Sequence, residues 1–251
     1  IVGEAAANDA AAVATAYLTS SASFVTLMGT LLDSSVVTAN ASSQSGLATL
    51  GVLYMQALAT KLTDAIKANA LDKGATRVAV LNTLDVTKTP RFQKALADVS
   101  AAYGGGSTGA QAAAGVQALV QNWIQAYNTQ LNTNLAQYGS KVAVVDFYTS
   151  FNDEMSDPSQ YGLSDVTQTV CDQIVNAGGT LAPGETALSD GSTVVACTDT
   201  NAATITPTVA ADGTTNWWKK YLYADNFHPT PYGHQLLAQL VAKRLTVAGW
   251  L

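Results

Sequence analysis

Apolar residues recur every three to four positions along three long stretches of the chain, and this spacing predicts amphipathic helices. The first stretch covers residues 47–71, the second runs from about 107 to 138, and the third from 232 to about 247. Another helix is predicted to begin at Pro90, because the fixed backbone angle of proline suits the first helical position. Glycine follows the first two stretches, as is common where helices end.

Two short apolar runs alternate with these helices and predict buried strands. They are Arg77–Asn82 and Lys141–Tyr148. Helices of twenty or more residues between strands require crossover connections, so we expect the strands to be parallel. The predicted fold class is therefore α/β: a three-layer α/β/α sandwich with a mainly parallel sheet and helices on both of its faces.

The length of 251 residues suits one large α/β domain or two small ones, and because the sequence shows no clear domain boundary we expect residues 1–251 to form a single domain. Helical and strand periodicity is lost over about 150–217. A stretch of that length without regular structure is unusual in a compact domain, and it predicts an irregular insertion that forms short strands or a lid.

The composition and charge of the chain exclude several classes of protein. Only 12% of the residues are charged and 48% are hydrophobic, which excludes a disordered chain. The net charge is −6, and no more than two lysines or arginines are adjacent, so we expect neither a nucleic-acid-binding face nor attraction to anionic membranes. No apolar run approaches the roughly 18–20 residues of a transmembrane segment.

The two cysteines, Cys171 and Cys197, lie in a stretch rich in Thr, Ser, Asp and Gly. A pair in polar loops predicts a disulfide, with two free thiols as the alternative. The bridge would close a loop of about 26 residues, worth roughly 3.5 kcal/mol in the chain-entropy model. With few lysines and many Thr, Ser and Asn, the chain is expected to be secreted or periplasmic.

The only histidines are His228 and His234, and Asp225 precedes the first by three residues. Prolines at 229 and 231 keep this backbone out of a helix. In such a turn the aspartate can fold back to the Nδ1–H of His228. It would fix the tautomer and stabilise the imidazolium, leaving Nε2 to accept a proton from a nucleophile.

Other interpretations of the histidines remain open. His228 alone is also typical of a surface or capping residue, and His234 of a polar residue in the first turn of the last helix. A metal site, which would make the protein a lyase or metal hydrolase, needs both histidines on one face. Six residues at about 100° each place them about 240° apart around a helix, which disfavours that arrangement.

Asp225-x-x-His228-Pro229-Thr230, followed by a glycine and an amphipathic C-terminal helix, resembles the last conserved block of the SGNH, or GDSL, esterases and lipases. The segment Asn82–Pro90 is similar to that of bacterial secreted lipase-like members. The resemblance implies a Ser-His-Asp triad in which His228 is the general base and Asp225 orients it. It implies no metal or organic cofactor.

A further family block, normally Gly-x-Asn-Asp after a strand, is similar to the segment ending in Asn8-Asp9, with Ala6 where the glycine is expected. The resemblance implies that Asn8 donates to the oxyanion; a helix cap is the alternative. The block that carries the nucleophile, Gly-Asp-Ser, does not occur in the sequence. The serines in the segment most similar to this block are Ser34 and Ser35, and we do not expect either of them to be the nucleophile.

The sequence therefore leads us to expect a carboxylic ester hydrolase whose serine comes from outside this chain. An N-terminal segment, including the first strand of the sheet, or a separate chain would carry that serine. The alternative is a non-catalytic binding or structural module on a degenerate scaffold. The expected substrate is an apolar ester or lipid, and the aromatic residues over 217–223 are expected either to line its acyl pocket or to pack in the core.

Overall fold

The structure, a computed structural model, describes residues 4–176, 202 and 216–251, which form helices and short parallel strands. The chain divides into two compact units. The first unit comprises Ile1–Thr87, Leu96–Thr149 and Val241–Leu251, and the second comprises Lys88–Ala95 and Ser150–Leu240.

The described helices and strands follow one another along the chain as α1 Glu4–Thr19, α2 Ser21–Met28, α3 Ser34–Asn40, α4 Gln44–Asn69, β1 Val78–Leu81, α5 Pro90–Ala102, α6 Gly106–Ala136, β2 Val142–Val145, α7 Phe147–Ser156, β3 Asp165–Thr169, α8 Val170–Asn176, β4 Tyr221–Tyr223 and α9 Pro231–Val247. The long helices predicted from apolar spacing are confirmed as α4, α6 and α9, and α5 begins at the predicted proline. Helix α4 begins three residues earlier than predicted because Ser43 caps it: the serine side chain accepts a hydrogen bond from the Gly46 amide.

In the first unit, β1 and β2 pair in parallel as predicted, with Val78 opposite Val142 and Leu81 opposite Val145. Helix α4 packs against α6, and the buried Trp123 indole of α6 donates to the Ala48 carbonyl oxygen of α4 over 2.9 Å. Gly51 permits this close approach, because a Cβ there would lie 2.2 Å from the Trp123 ring. The close contact between α4 and α6 is thus part of the core of this unit.

In the second unit, β3 and β4 pair in parallel, and a buried cluster packs beside them. Its members are Val170, Ile174, Ala202, Trp217, Trp218 and Tyr221. The Trp217 indole is fully buried and donates to the Ala202 carbonyl oxygen over 3.0 Å. The structure therefore places Trp217, Trp218 and Tyr221 in the core, in agreement with the core-packing alternative for this aromatic segment.

The α/β class is confirmed, but the described strands form two separate two-stranded parallel sheets. The single three-layer sandwich therefore stays a prediction. The strand predicted to reach Tyr148 ends at Val145, because the side chain of Asp146 accepts a hydrogen bond from the Thr149 amide and so begins α7. A short-range capping interaction outweighs the strand propensity of Phe147 and Tyr148.

The structure also differs from the predicted irregular insertion at its beginning. Helix α7 continues to Ser156, a 3₁₀ turn covers Pro158–Tyr161, and β3 and α8 follow. Strand β3, with the sequence DVTQT, is mostly polar and too short for apolar periodicity to reveal it. Residues 177–201 and 203–215, which made up most of the predicted insertion, lie outside the described residues.

Candidate active site

A short loop between β4 and α9 carries the predicted histidine and aspartate. The loop closes on itself, because the Ala224 amide donates to the His228 carbonyl oxygen over 2.9 Å. Two residues further, the Thr230 amide donates to the Leu222 carbonyl oxygen over 2.8 Å. We call residues 224–230 the histidine loop. The prolines at 229 and 231 exclude a continuous helix here, as the sequence predicts.

Both carboxylate oxygens of Asp225 are used within the histidine loop. Oδ1 accepts hydrogen bonds from the amides of Phe227 and His228, over 2.8 and 2.7 Å. Oδ2 lies 2.8 Å from His228 Nδ1. The first oxygen fixes the turn and the second contacts the imidazole, so the structure makes the contact that the sequence predicts between these two side chains.

The imidazole is open to solvent while its aspartate is more sheltered. The side chain of His228 is 63% exposed and that of Asp225 35% exposed. Phe227 packs edge-on against the imidazole, with ring centroids 5.8 Å apart. Because Asp225 engages Nδ1, Nε2 is the ring nitrogen from which a proton can be exchanged with an external group.

Main-chain groups from two helices hold the histidine loop within the second unit. The Arg91 amide in the first turn of α5 donates to the Asn226 carbonyl oxygen over 3.0 Å. The Cys171 amide at the beginning of α8 donates to the Ala224 carbonyl oxygen, also over 3.0 Å. Amides in the first turn of a helix have no partner within that helix, so both bonds satisfy groups that the helices leave open.

The remaining predicted residues lie on other elements. His234 is exposed in the first turn of α9, in agreement with the interpretation as a polar helix residue. Cys171 is buried in α8, and Cys197 lies outside the described residues, so the disulfide stays a prediction. Ser34 and Ser35 are exposed in the first turn of α3.

Asn8 lies within α1, in the first unit. Its side chain lies outside the described part of the chain, as do the backbone positions of residues 1–3, where the sequence predicts a strand. The role of Asn8 therefore stays a prediction. Its place inside a helix differs from the helix cap weighed as the alternative.

A polar network around the buried Asn82 at the end of β1, in the first unit, was not predicted from the sequence. The Asn82 side-chain Nδ2 donates to Asp146 Oδ1 over 2.8 Å, and Asn82 Oδ1 accepts from the main-chain amide of Tyr148 over 2.9 Å. Burial disfavours the charged form of Asp146, but hydrogen bonds from Asn82 and Thr149 outweigh that effect and lower its pKa. These bonds join β1 to the beginning of α7, so the network is structural.

Asp85 follows in the same region and is also buried. Its carboxylate accepts hydrogen bonds from the main-chain amide of Thr87 and from the Thr87 hydroxyl, the second over 2.6 Å. It also accepts one from the side-chain Nε2 of Gln121 over 2.9 Å. The carboxyl ends of parallel strands are where α/β folds commonly bind ligands. Here, however, the polar side chains fix the course of the chain after β1.

Glu154, on α7 in the second unit, is a buried acid outside the histidine loop. Burial raises the pKa of its carboxyl to about 7, offset in part by a hydrogen bond from the Ser150 hydroxyl. The folded state therefore holds this proton more tightly than the unfolded chain. The contribution of Glu154 to the free energy of unfolding is largest at acidic pH and falls as the pH rises from about 4.5 to about 7.

We therefore expect Glu154→Gln, which mimics the protonated acid, to stabilise the protein at pH 8 and not at pH 4.5. Allowing for solvent screening, the gain at pH 8 is about 1–2 kcal/mol, or a rise in Tm of roughly 2–6 °C. Thermal unfolding at both pH values measures it. Asp64→Asn, which removes an exposed carboxylate, is the control. The prediction is contradicted if the Tm of Glu154→Gln and the Tm of wild type depend equally on pH.

The described residues contain no group of three or more His, Cys, Asp or Glu side chains that could hold a metal ion. None of the described helices combines the length and the hydropathy that crossing a membrane requires.

Comparison with known proteins identifies a family that the chain matches. A family model described as GDSL-like Lipase/Acylhydrolase matches residues 47–241, well over half of the chain. The match includes the histidine loop but begins beyond Asn8. No curated protein matches the chain.

Proposed function

The chain belongs to the family of GDSL-like lipases and acylhydrolases, and on that premise we propose that it hydrolyses carboxylic esters through a Ser-His-Asp triad. His228 is the general base and Asp225 orients it. One observation carries the proposal: Asp225 Oδ2 lies 2.8 Å from His228 Nδ1, on a loop whose imidazole is open to solvent. Family membership supports the reaction class, and this contact supports the roles of the two residues.

In the proposed reaction, Nε2 of His228 takes the proton from a serine hydroxyl as its oxygen bonds to the ester carbonyl carbon. Asp225 stabilises the imidazolium that forms. The imidazolium then returns the proton to the leaving alcohol, the carbon–oxygen bond to that alcohol breaks, and an acyl-serine remains. Water activated by His228 hydrolyses the acyl-serine by the same two steps and regenerates the serine.

The nucleophile and the oxyanion donor complete the proposal. Because Gly-Asp-Ser does not occur in the sequence, the catalytic serine is proposed to come from an N-terminal segment or a separate chain. Asn8 is proposed as a donor to the tetrahedral oxyanion, a contribution worth about 3–4 kcal/mol in transition-state stabilisation where it has been measured. The reaction needs no metal or organic cofactor, since proton transfer and acyl transfer both use side chains.

The wider setting of the site is also a proposal. The proposed fold is a three-layer α/β/α sandwich with a mainly parallel sheet, as expected for this family. A Cys171–Cys197 disulfide and secretion, or export to the periplasm, fit a composition with few lysines and many Thr, Ser and Asn. The proposed substrate is an apolar ester or a lipid.

The test is ester hydrolysis by the complete protein, measured with p-nitrophenyl butyrate and p-nitrophenyl laurate. We expect turnover of at least one ester, and labelling of a serine by a fluorophosphonate probe. Labelling of a serine within residues 1–251 would overturn the proposed source of the nucleophile but leave the reaction standing.

A non-catalytic binding or structural module is the second candidate function, and the missing Gly-Asp-Ser favours it. It predicts that the complete, folded protein neither turns over either ester nor reacts with the probe. Thermal unfolding of the same sample establishes that the protein is folded. Absence of both signals from folded protein would therefore replace the esterase proposal with this one.

A further inference from the structure

Thr230, at the end of the histidine loop, ties two elements together. Its side chain is buried, and its hydroxyl donates to the Tyr221 carbonyl oxygen over 2.6 Å while accepting from the Gly233 amide over 3.1 Å. Its own amide donates to the Leu222 carbonyl oxygen over 2.8 Å. One residue thus binds β4 on one side and the first turn of α9 on the other.

These hydrogen bonds lie at the base of the histidine loop, where its last residue, Thr230, meets β4. The Thr230–Leu222 bond and the Ala224–His228 bond cross the loop one after the other, and Asp225 and His228 project from the segment that they enclose. A displacement of Thr230 relative to β4 is therefore transmitted through Pro229 to His228. The side-chain bond to Tyr221 adds a second tie at this base.

Close packing at Gly233 leaves little room for such a displacement. A Cβ at this position would lie 2.8 Å from the Pro229 Cβ and 3.1 Å from the Leu222 carbonyl oxygen. The first turn of α9 consequently lies directly against the base of the histidine loop. The Thr230 hydroxyl, which bonds the Gly233 amide, sets the position of this turn.

We propose that Thr230 is a positioning residue that holds His228 and Asp225 in register with β4 through its hydroxyl. The inference rests on the proposed function, because its effect is on proton transfer by His228. A helix-capping hydroxyl ordinarily accepts one hydrogen bond from an amide in the first turn of the helix, here that of Gly233, and contributes only to stability. The additional bond to the Tyr221 carbonyl oxygen is what ties the cap to the strand that precedes the loop.

The kinetic test compares Thr230→Val, which keeps the shape and removes both hydroxyl bonds, with Thr230→Ser, which keeps the hydroxyl. In the complete protein we expect Thr230→Val to lower kcat about tenfold and to change KM less than about twofold, because small misplacements of a catalytic group reduce turnover more than binding. Thr230→Ser should restore kcat to within about twofold of wild type. If Thr230→Val does not fold, Thr230→Ala, which also lacks the hydroxyl, is measured and judged by the same criteria.

Thr63 provides a matched control in the first unit. It is buried in α4, and its hydroxyl donates one bond to the Ala59 carbonyl oxygen over 2.9 Å. Thr63→Val should lower Tm without lowering kcat at a temperature where the variant is folded. A kcat of Thr230→Val within twofold of wild type, or an equal fall in kcat for Thr63→Val, overturns the proposal.

A double-mutant cycle separates positioning from a purely structural role. If Thr230 acts through the Asp225–His228 pair, Thr230→Val should lower kcat much less in an Asp225→Asn background than in wild type. An equal fold-change in both backgrounds overturns the proposal. KM and Tm of all four proteins accompany the cycle, so that a loss of folded protein is not counted as a loss of turnover.

A proton NMR measurement tests the same proposal without relying on turnover. The Nδ1–H proton of His228 is assigned by its disappearance in His228→Ala, and we expect Thr230→Val to shift or broaden it while Thr230→Ser leaves it in place. Inactive but folded wild-type protein would overturn the proposed function, and this resonance would still decide whether Thr230 positions His228. An unchanged resonance in Thr230→Val, beside an active wild type, overturns the positioning role alone.

Discussion

Replacement of His228 by alanine is expected to lower kcat for ester hydrolysis by about 10⁴-fold or more, because the triad loses the group that takes the serine proton and returns it to the leaving alcohol. KM should change little, since the imidazole is not the group that binds the apolar part of an ester. The side chain is 63% exposed, so its removal should shift Tm by only a few degrees. Steady-state kinetics with p-nitrophenyl butyrate and thermal unfolding measure the two quantities.

The second histidine of the sequence supplies the control. His234 is exposed in the first turn of α9 and follows the histidine loop by four residues. His234→Ala removes an identical side chain and is expected to keep kcat within about twofold of wild type. If folded His228→Ala retains activity within tenfold of wild type, His228 is not the general base. Equal losses in both variants would point instead to the metal-dependent alternative, which a chelator would then test.

Asp225→Asn is expected to lower kcat by about 10³–10⁴-fold while leaving the histidine loop folded. The asparagine Oδ1 still accepts hydrogen bonds from the amides of Phe227 and His228. The amide nitrogen, however, replaces the oxygen that lies 2.8 Å from His228 Nδ1. An N–H at this position favours the tautomer that protonates Nε2, and a protonated Nε2 cannot take the serine proton.

Asp165 is a matched control for the hydrogen bonds by which Asp225 fixes its turn. Its Oδ1 also accepts from the amides two and three residues ahead, over 2.7 and 2.8 Å, but in β3 and without a histidine. Asp165→Asn should therefore keep kcat within about twofold of wild type. A similar kcat for Asp225→Asn and Asp165→Asn would show that Asp225 only shapes the turn. Asp225→Ala adds the loss of both amide bonds and should lower Tm further than Asp225→Asn.

Long helices and apolar strands were predictable because their signal is a repeated pattern. Helix α4 shows apolar residues every three to four positions over seven turns, and β1 is a short apolar run bounded by polar residues. Short strands were predicted within 150–217, but the position of β3 and the presence of helix α7 were not. Their stability comes from pairing with β4 and from capping by Asp146 rather than from a periodic pattern. Short, polar elements carry too few residues for periodicity to identify them.

The candidate site divides in the same way. Asp225 and His228 were predictable because three residues and two prolines confine their contact to one turn of chain. The donors that hold this turn, on Arg91 and Cys171, are main-chain amides more than fifty residues away in sequence. A main-chain amide has no residue-type signature, so no motif reveals such a contact.

Local spacing and local backbone restriction were enough to predict the α/β class, the family and the contact between an aspartate and a histidine. The packing of the aromatic residues over 217–221 in a core, and the hydrogen bonds by which Thr230 ties the histidine loop to β4 and α9, became known only from the folded structure. The physical reason is the range of the interactions. Burial and hydrogen bonds between distant segments depend on which elements meet, and that is set only when the chain has folded.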